Sequence, residues 1–231
     1  MAKTIVVVGF GPGVSTSVAE KFGAEGFAVA VVARDAARLA AGAAALKAKG
    51  IASAAFPADA GDPASIRRAI VAAHDQLGPI GVLHWNAYGG GGFGDLLTAD
   101  PAKAPGLFNV AIAGLLSAVQ EALPDLKAAG DGAVLVTNGA FGESNPMIDA
   151  IAIALNETGV PLGNAAKAKL VGLLAVRLKS EGVYVGEVTI AGVVKGTGPD
   201  NPAMPTIEGA AIAEKFWALY KARDAVRDRI G

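Results

Sequence analysis

Short apolar, β-branched runs alternate with alanine-rich stretches of helical length along the whole chain, and that alternation limits the fold more than any other feature. The runs are Ile5–Val8, Phe27–Val32, Ile51–Phe56, Ile80–Trp85, Ala133–Thr137 and Val183–Ile190, with helix-like stretches near 14–25, 36–49, 63–77, 102–129, 160–181 and 207–222. A strand buried on one face alternates polar and apolar residues, whereas these runs are apolar throughout. They therefore read as strands of a parallel sheet covered on both faces and joined by helical crossovers. Local punctuation agrees in phase. Asp62-Pro63 reads as an N-cap followed by proline at the first helical position, and Asp35 as the cap of the helix after the second strand. Gly50 and Gly130 stand where helices should stop. No composition shift and no internal repeat divides the sequence, so residues 1–231 are expected to form a single α/β domain.

A length of 231 residues suits one such domain with a sizeable core. The chain is 52% hydrophobic and 18% charged, which argues against disorder, and its formal net charge of −1 gives no reason to expect a nucleic-acid or acidic-membrane partner. It has no cysteine, which excludes disulfides and thiolate metal sites and fits a reducing compartment. His74 and His84 are too isolated for an ordinary zinc site, so no metal is expected. The first residues run straight into a strand without a signal-peptide core, and no uninterrupted apolar run reaches the roughly 20 residues of a membrane helix. The expected location is the cytoplasm.

The first strand leads into Gly9-Phe10-Gly11-Pro12-Gly13-Val14-Ser15 and then a helix. Glycines there let the backbone turn sharply and approach a pyrophosphate, while the helix start offers unpaired N–H groups to phosphate charge. Such a cluster can also be a plain tight turn. Its place after a strand, before a helix and early in an α/β chain favours a Rossmann-type dinucleotide fold. A second glycine run, 89–94, follows the fourth strand on the carboxyl edge where open α/β sheets bind ligands. It reads either as a connector or as a wall of the site.

These residues resemble the short-chain dehydrogenase/reductase family. Gly9-x-x-x-Gly13-x-Ser15 is similar to the family turn G-x-x-x-G-x-G, with serine in the last place, where its hydroxyl is expected to reach a phosphate. Gly11 and Val14 fall within the same turn. The resemblance implies that Arg34, after Ala33 at the end of the second strand, pairs with a 2′-phosphate, so NADP(H) is favoured over NAD(H). Asp59 resembles the family aspartate that contacts the adenine amino group. Asn86-Ala87-Tyr88 resembles part of the family N-N-A-G signature, with Trp85 for the first asparagine and Tyr88 for the glycine. Tyr184–Thr197 resembles the sixth strand and following loop, which implies cofactor contacts from Val194 and Thr197. The segment 212–220 resembles the terminal helix of a divergent branch of the family.

Active members use serine, tyrosine and lysine, often with an asparagine. Tyrosine is the general acid/base, lysine lowers its pKa and binds the nicotinamide ribose, and serine holds the substrate oxygen. By resemblance Asn109 takes the asparagine position and Lys167 the lysine position, while the serine and tyrosine positions fall on Gly139 and Gly163. The stretch 142–161 is longer than the family pattern and reads as a lid or as an extra helix in a dimer contact. Ser144, Glu143 and Tyr88 are candidate substitutes for the missing groups, each of them also readable as a plain loop residue. The implied function is an NADP(H)-dependent oxidoreductase acting on a small carbonyl or alcohol. A nucleotide-binding sensor or scaffold without chemistry fits the same residues, and a non-redox enzyme on the same fold is a third reading. The apolar faces of the long helices after strands four and five imply a homodimer or homotetramer.

Overall fold

The computed structural model describes residues 3–89, 91, 93–197 and 205–231. Seven parallel strands form one sheet in the order β3-β2-β1-β4-β5-β6-β9. They are β1 (Thr4–Val8), β2 (Ala28–Ala33), β3 (Ser53–Pro57), β4 (Ile80–Trp85), β5 (Ala133–Gly139), β6 (Tyr184–Ile190) and β9 (Arg227–Ile230). A separate two-residue parallel pair, β7 (Val193–Val194) and β8 (Thr206–Ile207), lies beyond β6.

Alternating side chains send each strand into two cores. On one face Val6, Val8, Leu83, Trp85, Val134, Val136 and Val185 pack under α3 (Pro63–Leu77), α4 (Leu115–Ala128) and α6 (Gly159–Lys179). On the other, Ile5, Val7, Val29, Val31, Leu135 and Val188 pack under α1 (Val14–Ala24), α2 (Ala36–Ala48) and α7 (Gly209–Ala222). Burial on both sides accounts for the continuous apolar runs, and the doubly wound α/β class read from them is the observed one. Asp35 and Asp62 accept from the amides of Arg38 and Ala64 and cap α2 and α3. Gly50 and Gly130 adopt positive φ, 78° and 75°, just past α2 and α4.

Two features depart from the sequence reading. The expected helix over 102–129 is broken into a 3-10 segment (Pro101–Leu107), a π-helical turn (Asn109–Gly114) and α4. A reason is visible at Gly114: a Cβ there would lie 1.9 Å from the carbonyl oxygen of Ala60, so the backbone is pressed against the loop after β3. The span 101–128 passes by length and by the mean composition of one 18-residue window as able to cross a bilayer, although it carries Lys103, Glu121, Asp125 and Lys127, and here it packs against α3, α6 and β4. Second, β9 escaped notice because Arg-Asp-Arg-Ile, at the sheet edge, carries no apolar run. The stretch 142–161, read as a lid or an extra helix, contains a helix, α5 (Pro146–Ala154), started by Asn145, which accepts from the Met147 amide.

Substituting Gly114 by alanine is expected to destabilise the protein by about 1–3 kcal/mol, the usual cost of overpacking, read as a lowered thermal midpoint. A second expectation concerns the α3–α4 junction, where His74 Nδ1 lies 2.6 Å from Asp125 Oδ2, the oxygen that also accepts from the Ile80 amide. The hydrogen bond to Asp125, aided by its charge, raises the His74 pKa. The contribution is complete below the ordinary imidazole value of about 6.5 and is lost as pH rises through the higher folded-state value. Unfolding midpoints of His74→Gln compared with wild type across this range should lack that decline.

Candidate functional site

The sheet order reverses between β1 and β4, and the loops leaving these neighbouring strands open a crevice at their carboxyl ends. Gly9 is there at φ 85°, and a Cβ on it would stand 2.4 Å from the Ala87 amide nitrogen. Asn86 ties the two loops together: its amide donates to the Val8 carbonyl at 2.8 Å and its Nδ2 to the Gly9 carbonyl at 3.2 Å. Gly13, at φ 83°, precedes α1 without any side-chain cap. The first-turn amides of Val14, Ser15 and Thr16 therefore carry the positive end of the helix with no capping side chain. A Cβ on Gly13 would lie 2.5 Å from Thr197 Cγ2 and 3.0 Å from Val194 Cγ1, so both loop residues are brought onto the glycine turn. Ser15 is buried, and its hydroxyl accepts from the Gly11 amide and donates to the Gly11 carbonyl, each at 2.9 Å. It closes the turn rather than reaching outward for phosphate, which corrects the reach expected of it. Gly11 itself faces open space.

A cleft of about 850 Å³ runs from this turn across the ends of β1–β4, bounded by Gly9, Phe10, Arg34, Arg38, Asp59 and Tyr88 among others. Arg34 is exposed at the end of β2. Arg38, one turn into α2, faces the same space, with its guanidinium 3.8 Å from Asp35. Asp59 spends one carboxylate oxygen on the Gly61 amide at 2.8 Å. Ala87 and Gly89 line the far wall, where Tyr88 is 68% exposed. Of the glycine run, Gly91 also borders the cleft, while Gly90 and Gly92 lie outside the described residues.

The positions matched to the family's reactive groups lie under the other end, between α6 and the sheet. Gly139 ends β5, and a Cβ on it would be 2.9 Å from Asn164 Nδ2, so the Asn164 amide fills the adjoining space. At Gly163 a Cβ would meet nothing nearer than 3.6 Å, the Leu107 carbonyl, with the Gly89 carbonyl at 3.7 Å and Ala111 Cβ at 4.0 Å. Ala111, not Asn109, is the residue of the π-helical turn that faces Gly163. Asn109 is exposed, and its Cβ lies 3.6 Å from the place of a Cβ on Gly61, beside Asp59. Lys167 is 4% exposed, and burial lowers its pKa to about 8, against the raising effect of the Glu187 charge. Glu143 and Ser144 border a separate hollow of about 400 Å³ with Asn145, Asp149 and Leu162, and Glu143 pairs with Arg229 at 2.5 Å. The structure thus brings Tyr88 into the main cleft and leaves Ser144 and Glu143 out of it.

Three residues of this region were missed in the sequence. Phe10 closes one rim of the cleft by lying on Gly42, where a Cβ would be 2.2 Å from its ring; nothing local signals that contact. Arg38 had a signal, the four-residue spacing from Arg34 on the first turn of α2. Asn164 falls between Gly163 and Lys167 at a position the family pattern leaves open, so the sequence gives it no signal.

The model of the short chain dehydrogenase family matches residues 3–152. Among curated proteins no sequence matches the chain. Solved structures share the fold at low identity. A short chain dehydrogenase from Burkholderia cenocepacia J2315 in complex with NADP superposes with a TM-score of 0.85 at 21% identity, over 99% of this chain and 96% of that one. L-sorbose reductase from Gluconobacter frateurii, complexed with NADPH and L-sorbose, gives 0.84 at 19% identity, over 99% and 95%. A metagenomic short-chain oxidoreductase in complex with NADP gives 0.79 at 22% identity, over 99% and 96%. With a glycine turn, switch-point crevice and strand order of this kind, and a family model matched over most of its length, the chain belongs to the short chain dehydrogenase family.

Proposed function

We propose that this protein is an NADP(H)-dependent oxidoreductase acting on a small carbonyl or alcohol substrate through an altered active site, in which glycines 139 and 163 stand at the serine and tyrosine positions. The observation that carries the reading is the backbone contact at Gly9, where no side chain fits beside Ala87 at the switch point, next to a glycine turn that leads into α1 without a side-chain cap. That cradle, with Val194 and Thr197 above it, fits a diphosphate. Arg34 and Arg38 fit a 2′-phosphate at the end of β2, and Asp59 an amino group of adenine. The NADP and NADPH held by the structural neighbours support the same coenzyme.

When bound, the coenzyme supplies or accepts hydride at the carbon that carries the substrate oxygen. The chain's own groups do the rest. The Lys167 ammonium holds the nicotinamide ribose and, with a pKa near 8, is also the proton store closest to where a tyrosine would stand. Asn109, on the rim by Asp59, serves the adenosine half. Tyr88 covers the cleft. We place the protein in the cytoplasm as a homodimer or homotetramer joined along α4 and α6, where Leu173 and Val176 face outward at 57% and 79% exposure. A second reading, a nucleotide-binding sensor without turnover, is favoured by one observation: nothing at Gly163 supplies a proton donor.

NADPH should bind more tightly than NADH in fluorescence titrations, and Arg34→Ala should narrow the difference by about 10- to 100-fold, the loss of one charged hydrogen-bonded contact. Equal affinities in the wild type would contradict the coenzyme assignment. Gly163→Tyr places a phenol one helical turn from Lys167, at a buried position where a Cβ meets only ordinary contacts of 3.6–4.0 Å, and is expected to raise NADPH oxidation against a panel of aldehydes and quinones by about 10²–10⁴-fold. Tight binding with no turnover in either protein supports the sensor. Sedimentation showing only monomer would remove the α4–α6 assembly.

A further inference from the structure

A carboxylate is sealed beneath α6. Glu187, on β6, is 1% exposed and points to the same face of the sheet as Val185, toward α6. Its Oε1 accepts from Asn138 Nδ2 and Thr189 Oγ1, both at 3.3 Å. Its Oε2 has no hydrogen-bond partner, and the nearest cation to it, the Arg227 Nε, is 3.8 Å away. Arg227 spends its own Nη2 on the Ala168 carbonyl at 2.7 Å. A charge so dry is expensive unless another charge offsets it. Lys167, itself 4% exposed, is carried on the same turn of α6 that reaches this carboxylate: Asn138 Nδ2 donates both to Glu187 and to the Asn164 carbonyl, and Arg227, beside Glu187, donates to the carbonyl of the adjacent Ala168.

The cluster reaches further. Asn138 Nδ2 also donates to the Asn164 backbone carbonyl at 3.1 Å, and its Oδ1 accepts from the Gly139 amide at 3.0 Å. One asparagine thus links the carboxylate to both segments that carry the glycines, the end of β5 and the start of α6.

We propose that Glu187 is a positioning residue: its buried carboxylate is the counter-charge that keeps Lys167 an ammonium between α6 and the sheet, and Asn138 fixes that carboxylate relative to Gly139 and Asn164. This deepens the reading of the preceding section, in which Lys167 holds the ribose and stores a proton. The other elements packed on α6 offer Lys167 little competing charge. Residues 109–114 and 140–142 contain no titratable side chain, β5 presents Asn138, and Lys103 of the 3-10 segment is exposed. From the edge of the sheet only Arg227 approaches, and its charge is directed at Glu187 and Ala168.

The test needs no substrate. The side-chain resonances of Lys167 are followed by heteronuclear NMR from pH 6 to 11 in the cofactor-free protein, with Lys167→Met to assign them. Glu187→Gln should move the titration of Lys167 downward by about one pH unit or more, because the favourable charge is gone while burial remains. Glu187→Asp, which keeps the charge, should hold it near the wild-type position. In parallel, NADPH affinity of the wild type should fall as pH rises through about 8, the value to which Lys167 is lowered. The fall should begin at lower pH in Glu187→Gln and vanish in Lys167→Met. A purely structural Glu187 would lower the thermal midpoint of Glu187→Gln and leave the Lys167 titration in place, and that result overturns the proposal. Should Glu187→Gln not fold, Asn138→Ala, which loosens the carboxylate, is expected to shift the titration in the same direction by less, and an unshifted curve in that variant counts equally against it. If NADPH does not bind the wild type at all, the coenzyme assignment fails, while the NMR comparison still decides the role of Glu187.

Discussion

Backbone lies on backbone where β1 and β4 end, and the geometry of the cleft follows from that contact. With a side chain on Gly9, Ala87 would have to move, and with it the Asn86 bonds to Val8 and Gly9 that make the two loops one unit. The positive φ of Gly9 lets the chain turn at once into the segment before α1. The uncapped first turn of that helix is then a fixed source of partial positive charge. A site made from main-chain groups in this way needs few distinctive side chains.

Beneath α6, beside the cleft, lie side chains that water hardly reaches. Asn138, Asn164, Lys167 and Glu187 are all at least nine-tenths buried, among the few polar groups of which this is true. Buried polar groups are tolerated when they satisfy one another, and these do so incompletely: one Glu187 oxygen is unpartnered and the Asn164 amide has a single bond of 3.4 Å, to Gly139. Such under-satisfaction is typical of positions retained for a task other than stability. Two glycines in the same region leave room on one side, at 163, and none on the other, at 139, where Asn164 already stands.

How much of this could be read from the sequence depended on whether the signal was local. The main strands could be read because burial on both faces makes them uniformly apolar, and the caps at Asp35 and Asp62 because a cap is a contact between near neighbours. The strand Arg227–Ile230 could not, since its place is set by pairing with β6 and not by its composition. The break at Gly114 comes from Ala60, far away in the chain, and periodicity sees only one smooth apolar helix there. In the site, the glycine turn and Arg34 were legible by position. Asn109 fell on the rim because a π-helical turn shifts the phase of every side chain that precedes it, which brings Ala111 to face Gly163. Glu187 passed as one residue of an ordinary strand, because its meaning lies in Lys167 and Asn138 across three elements.

The short edge strand has an effect out of proportion to its four residues. Its Arg227 pairs in register with Glu187, so β6 is an inner strand and not the margin of the sheet. Take that cover away and solvent would wet the flank of β6, and a medium that had been poorly polarisable would become aqueous. Attraction between two charges weakens steeply under such a change. The strand is in this sense a gasket, and what it seals in is the reach of an electric field.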